Sequence, residues 1–105
     1  MSSPMSSLGA PVMPNAGRIY GEILRILPEA DGFGAICEVA VQEVQDVPGF
    51  TNFARSYCGR TIAVFLHPGL QQRAAVHDRI VAKVAFRGDE HGGRFVVLDD
   101  DFRKV

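Results

Sequence analysis

Three adjacent residues in the segment RGDEHGG, residues 87–93, have side chains that bind metal ions or transfer protons. Asp89, Glu90 and His91 offer two carboxylates and an imidazole, which are ligands for zinc and other divalent cations. Consecutive residues, however, rarely converge on one ion without ligands from elsewhere, and the following glycines are typical of a hairpin loop. We therefore interpret the segment as a turn between two strands and predict neither a metal site nor a cofactor.

The other acids, histidines and cysteines form no recognised catalytic motif. The sequence contains no GxSxG, Walker A or GxGxxG pattern. Cys37, Cys58, His67 and His77 lack the CxxC or HxxxH spacing that prepares a zinc site. A non-enzymatic protein is therefore predicted. The two cysteines are too few for a disulfide scaffold and fit a reduced compartment, although the sequence leaves open whether they pair.

Aromatic and basic residues point to binding chemistry. Single strands of nucleic acid are held by bases stacked on aromatic rings and by cations at the phosphates. Tyr20 and Phe65 lie in runs of alternating polarity and are expected to face away from the core, while Phe33 lies in the turn-rich segment EADGFG. The predicted nucleic-acid surface consists of Arg18, Tyr20, Phe33, Arg60, Phe65, Lys83 and Arg87. The alternative is that Tyr20 and Phe65 cover an end of the fold or contact another subunit.

A second aromatic group lies in the long connection QDVPGFTNFARSYCG. Phe50, Phe53 and Tyr57 are spaced by three and four residues, which predicts a short helix with one apolar stripe. Such a stripe either packs against its own domain or forms a docking surface for a protein partner or a second copy. The sequence does not distinguish these two arrangements.

The charge balance bears on the choice of partner. Lys and Arg number 11 and Asp and Glu 12, giving a net charge of −1 and a pI near 6.3. Nucleic-acid modules usually carry a basic surplus, so the composition favours protein contacts. The sequence shows no apolar stretch of membrane-spanning length and no secretory signal, so a cytoplasmic protein without membrane contact is expected.

The hydrophobic pattern divides the chain into a tail and one domain. Residues 1–17 are rich in Ser, Pro, Met and Gly without apolar periodicity, which predicts a flexible tail. Residues 18–105 are predicted to form a single domain. Period-two runs indicate five strands, at residues 18–27, 35–44, 60–67, 79–87 and 94–99, with a helix at 70–76.

This order of elements resembles the OB-fold, most clearly in the segment VHDRIVAKVAFRGDEHGGRFVV. The resemblance covers residues 18–99 and identifies no family within that fold. It implies an all-β, five-stranded, OB-fold-like barrel with one short helix between strands 3 and 4. It also implies a binding face flanked by loops 29–34 and 89–93. Single-stranded DNA or RNA is therefore the first expected partner, and the alternative is a protein-protein or self-assembly module without nucleic-acid activity.

Overall fold

The computed structural model describes residues 14–89 and 92–105, apart from the side chains of Asp89 and residues 99–101. Residues 1–13 of the predicted tail, and Glu90 and His91 of the predicted turn, lie outside the described residues. The strands are β1 (Gly17–Pro28), β2 (Ala35–Asp46), β3 (Thr61–Leu66), β4 (Arg79–Asp89) and β5 (Gly92–Lys104). Helix α1 (Pro68–Gln71) lies between β3 and β4, and a 3-10 turn (Arg55–Tyr57) lies between β2 and β3.

The five strands form a closed barrel in the order β1-β2-β3-β5-β4. Strand β1 pairs antiparallel with both β2 and β4, which joins the two ends of the sheet. Strands β3 and β5 are parallel and pair only at Val64–Phe95 and Phe65–Val96. The predicted all-β, five-stranded barrel with one short helix between strands 3 and 4 is confirmed, and it is compatible with an OB-like fold.

Alternating side chains of every strand fill the barrel, as the period-two pattern predicts. In β1, β2 and β3 the inward residues are buried and their chain neighbours are half-buried or exposed, whereas in β4 the outward residues Val81 and Ala85 are buried as well. Cys37 is one of these inward residues and is fully buried, as predicted for a small core residue. The core includes Ile19, Ile23, Cys37, Val39, Val41, Ile62, Val64, Leu66, Ile80, Ala82, Val84, Phe95 and Val97.

Helix α1 is shorter and begins earlier than predicted. The predicted helix covered residues 70–76, whereas α1 begins at Pro68 and is capped by His67, whose Nδ1 accepts the Gly69 N–H at 3.1 Å. Beyond Gln71 the chain continues in turns, one of which is closed by Asp78 Oδ2, which accepts the Ala75 N–H at 3.0 Å. The predicted inward position of Leu70 is correct, since its side chain is buried.

At both ends of the described chain, more residues belong to the barrel than the hydrophobic pattern predicted. Strand β1 begins at Gly17, and Asn15 and Ala16 before it are buried. Strand β5 continues to Lys104 rather than ending at residue 99. It does so because Phe102 returns to the core with only 4% exposure, opposite Ala82 of β4.

The two cysteines are free, and only Cys58 is exposed, so their reactivity tests whether Cys37 faces the barrel interior. Burial, with a smaller contribution from the charge of Glu38, raises the pKa of the Cys37 thiol to about 11. At neutral pH we expect a thiol reagent to modify exposed Cys58 rapidly and Cys37 only after denaturation. The measurement is thiol labelling followed by mass spectrometry, with Cys58→Ser as the control. Rapid labelling of Cys37 in the folded Cys58→Ser protein would contradict the inward assignment.

Candidate functional site

An apolar row crosses the outer face of the barrel next to the loop between β1 and β2, residues 29–34. Strand pairing places Leu27 of β1 beside Ile36 of β2, Ile36 beside Phe65 of β3, and Phe65 beside Val96 of β5. These four side chains are half-buried or exposed, whereas their chain neighbours Cys37, Val64, Leu66 and Val97 are buried. Phe65 therefore faces outward, as strand alternation predicted.

Arg94 covers the Phe65 ring at the centre of this row. The guanidinium carbon lies 4.2 Å from the ring centroid, which is a close cation–π contact. The same guanidinium is 3.6 Å from the Glu29 carboxylate, and half of the Arg94 side chain remains exposed. The exposed side of the Arg94 guanidinium is therefore a planar surface above the Phe65 ring.

The loop between β1 and β2 is held by hydrogen bonds and displays an aromatic ring. The Glu29 N–H donates to the Gly34 carbonyl at 3.0 Å, and the Phe33 N–H donates to the Asp31 carboxylate at 2.8 Å. Phe33 is 63% exposed, which is unusual for a residue of its size. We call Phe33, the apolar row and Arg94 the β2–β3 face.

The other charges near this face are partly neutralised. Arg25 donates two hydrogen bonds to the Glu38 carboxylate at 3.1 and 3.2 Å, and this contact raises the pKa of Arg25. Arg87 pairs in register with Arg94 on the hairpin of β4 and β5. Its guanidinium lies 3.4 Å from the Phe86 carbonyl. Arg87 and Arg94 therefore form the basic side of the face.

The structure does not bring all seven predicted nucleic-acid residues together. Tyr20 lies opposite Glu43 of β2 and Val81 of β4, and its hydroxyl is 3.5 Å from the Gln45 side chain. Arg18 and Lys83 are register partners on the same β1–β4 wall. Phe33, Phe65 and Arg87 belong to or border the β2–β3 face, whereas Arg18, Tyr20 and Lys83 belong to another wall of the barrel.

Arg60, the seventh, lies over the ring of Tyr57, 5.3 Å from its centre, and Tyr57 is one of the residues that line an aromatic pocket. Phe53, Ser56, Tyr57, Phe86 and Phe95 line this pocket, whose volume is about 360 Å³. The rings meet edge to face, with centroids 6.4 Å apart for Phe53–Phe86, 5.4 Å for Phe86–Phe95 and 5.6 Å for Tyr57–Phe95. The predicted partner stripe therefore packs on its own barrel through Phe53 and Tyr57, while Phe50 stays 47% exposed.

Two asparagines fix the surroundings of the pocket. The buried Asn15 side chain accepts the Phe86 N–H at 2.6 Å and donates to the Phe86 carbonyl at 3.1 Å. It continues the β1–β4 pairing beyond Gly17–Val84 by imitating a backbone amide. Asn52 accepts the Ala54 N–H at 2.9 Å and donates to Asp46. This hydrogen bond is the main cause of a lowered pKa of Asp46, and Arg55 adds to it.

Four residues of these surfaces were not among the predicted site residues. The outward position of Arg94 could have been predicted, because Arg94 lies two residues before Val96 on the same strand and residues two apart share a face. Phe86 and Phe95 were recognised as strand residues, and their flanking positions on one hairpin indicate that they are neighbours. No local pattern identifies Asn15, which precedes the first period-two run.

Comparison with known proteins yields no relative: no family model, curated protein or solved structure matches the chain. Within residues 14–89 and 92–105, no helix has the length and apolarity needed to cross a membrane. In the same described ranges, no three His, Cys, Asp or Glu side chains form a group able to hold a metal ion. The β2–β3 face and the aromatic pocket are therefore the two surfaces from which a function can be inferred.

Two glycines of one loop test how Phe65 is positioned. Gly32 and Gly34 both have positive φ, 77° and 86°, so alanine strains the backbone at either position. A Cβ on Gly32 meets nothing within 4 Å, whereas one on Gly34 would lie 2.4 Å from the Leu66 carbonyl and 2.7 Å from the Phe65 ring. Gly34→Ala is therefore expected to lower the free energy of unfolding by about 1–3 kcal/mol more than Gly32→Ala. Urea denaturation measures the difference, and equal losses would show that Gly34 does not support the ring.

Proposed function

We propose that this protein is a non-enzymatic binding module that holds single-stranded DNA or RNA on its β2–β3 face. The observation that carries the proposal is the Arg94 guanidinium over the outward Phe65 ring, together with exposed Phe33 in the loop between β1 and β2. Both free cysteines agree with a reducing, cytoplasmic setting.

The chemistry of this face suits unpaired bases. Bases stack on aromatic rings and on guanidinium planes, and each stacked base contributes roughly 1–3 kcal/mol. The exposed side of Arg94 offers one such plane and Phe33 offers a ring, while Arg87 and Arg94 supply cations for phosphates. Duplex bases are already stacked on each other, so a single strand is the expected ligand.

The electrostatics of the face predict modest affinity. Glu29 competes with phosphate for Arg94, and Glu38 is bound to Arg25. A strand must therefore displace or share the Glu29 contact, which lowers the favourable contribution of counterion release. Replacing Glu29 by glutamine removes this competition and is expected to strengthen binding.

The proposal is tested by fluorescence anisotropy with labelled single-stranded DNA and RNA of mixed sequence, between about 50 and 200 mM salt. Phe33→Ala is expected to weaken binding about tenfold, because one stacked base is lost. Arg94→Gln is expected to weaken binding and to reduce the salt slope by about one. Glu29→Gln is expected to act in the opposite direction.

Phe50→Ala is the matched control, because Phe50 is another exposed phenylalanine but lies outside the β2–β3 face. Binding that is lost equally in Phe50→Ala and Phe33→Ala would place the strand elsewhere. An absence of binding by the wild-type protein at low salt would exclude the nucleic-acid proposal.

The exposure of Phe50 favours a second candidate function, a protein-protein or self-assembly module. A ring that is 47% exposed next to 39% exposed Phe53 resembles the anchors of protein interfaces. If the chain self-associates there, light scattering coupled to gel filtration will show an oligomer that Phe50→Ser converts to monomer. Phe33→Ser, a change of the same type on the β2–β3 face, is expected to leave the oligomer intact. A monomer at all concentrations would contradict self-assembly.

A further inference from the structure

The aromatic pocket at the opposite side of the hairpin of β4 and β5 from Arg94 has the features of a separate ligand site. Its four rings contact one another in the order Phe53, Phe86, Phe95, Tyr57 and form a continuous arc, in which Phe53 is 39% exposed and Phe95 is 8% exposed. A volume of about 360 Å³ lies at the small end of the range for ligand pockets, roughly 300–1,000 Å³. Such a pocket accommodates one small planar molecule.

The charge beside the pocket disfavours a cationic ligand. An arc of aromatic rings would by itself suit a quaternary ammonium group. However, Arg60 already places its guanidinium 5.3 Å from the centre of the Tyr57 ring. A second cation at this ring would be repelled.

The same charge favours an anion. Within the described part of the chain, Arg60 has no carboxylate partner at ion-pair distance. The acid on the neighbouring segment, Asp46, is already bound to Arg55 and Asn52. Arg60 therefore retains donors for a ligand, and a guanidinium matches the geometry of phosphate.

We propose that the aromatic pocket binds a nucleoside monophosphate. Its base lies on the arc of Phe53, Phe86 and Tyr57, and its phosphate is bound by Arg60. The Ser56 side chain, which also lines the pocket, supplies a hydroxyl for the polar edge of the base or the sugar. This site does not involve Phe33, Phe65 or Arg94, so it does not depend on the proposed β2–β3 face.

The proposal is tested by ¹H–¹⁵N NMR titration of the full chain with adenosine monophosphate. The backbone amides of Ser56, Tyr57, Phe86 and Phe95 are expected to shift at millimolar or lower concentration. Adenosine, which lacks the phosphate, is expected to bind about tenfold more weakly, because the charge-assisted contact to Arg60 is missing. Inorganic phosphate alone is expected to leave the amide signals of Phe86 and Phe95 unchanged.

Variants separate the charge from the stacking surface. Arg60→Gln is expected to weaken binding of the monophosphate about tenfold without affecting adenosine, and Arg60→Lys to restore most of the affinity. Phe53→Ala is expected to weaken both ligands. Arg60 and Phe53 are exposed, and the dispersion of each variant's NMR spectrum reports whether the barrel is intact.

Phe33→Ala is the matched control and is expected to bind the monophosphate like the wild type. Equal binding by Arg60→Gln and the wild type would overturn the proposal. Amide shifts confined to the β2–β3 face would also overturn it. The same holds if the end of a nucleic-acid strand binds at this pocket but the free monophosphate does not. Because the strand-binding test uses Phe33 and Arg94, and this test uses Phe53 and Arg60, the two proposals can fail separately.

Discussion

Closure of the barrel between β3 and β5 is the constraint on which both candidate surfaces depend. Five short strands can bury one face of their sheet only by closing into a barrel. Here the closure includes the parallel pairing of β3 with β5, which extends over two register positions. That contact places Phe65 next to Val96 and Val64 next to Phe95. Without it, Arg94 would have no outward ring to cover, and Phe95 would not reach the rings of Phe86 and Tyr57.

The beginning of β5 supplies both surfaces because adjacent residues of a strand point to opposite sides. Arg94 faces outward onto Phe65, and Phe95 faces inward to the aromatic arc. Their register partners on β4 are Arg87 and Phe86, so on this strand too a basic residue is followed or preceded by an aromatic one. Adjacent residues of this hairpin therefore serve two surfaces: Arg87 and Arg94 belong to the basic outer face, and Phe86 and Phe95 line the aromatic pocket. The hydrogen bonds of Asn15 hold the backbone of Phe86 in register.

The sequence predicted the barrel because its signals are local and agree with each other. Alternation along each strand separates inward residues such as Cys37 from outward residues such as Phe65, and the structure has the same separation. Alternation does not say which wall of a closed barrel an outward residue occupies. Tyr20 and Phe65 both face outward, yet they lie on different walls because pairing partners decide the position. The side-chain bonds of Asn15 join residues 71 positions apart, so no local pattern reveals them.

Net charge is a weak guide to the local field of this molecule. The 11 basic and 12 acidic residues nearly cancel, but the cancellation is unevenly distributed. Arg25, Arg55 and Lys104 are bound to Glu38, Asp46 and Asp78, and three acids follow each other at residues 99–101 of β5. Within the described residues, Arg60 is not matched in this way, and it contacts a residue of the aromatic pocket. Coulomb interactions between solvated charges fade over about 10 Å at 0.1 M salt, so distant acids do little to cancel this cation. A nearly neutral chain can therefore present a positive charge where a phosphate would bind.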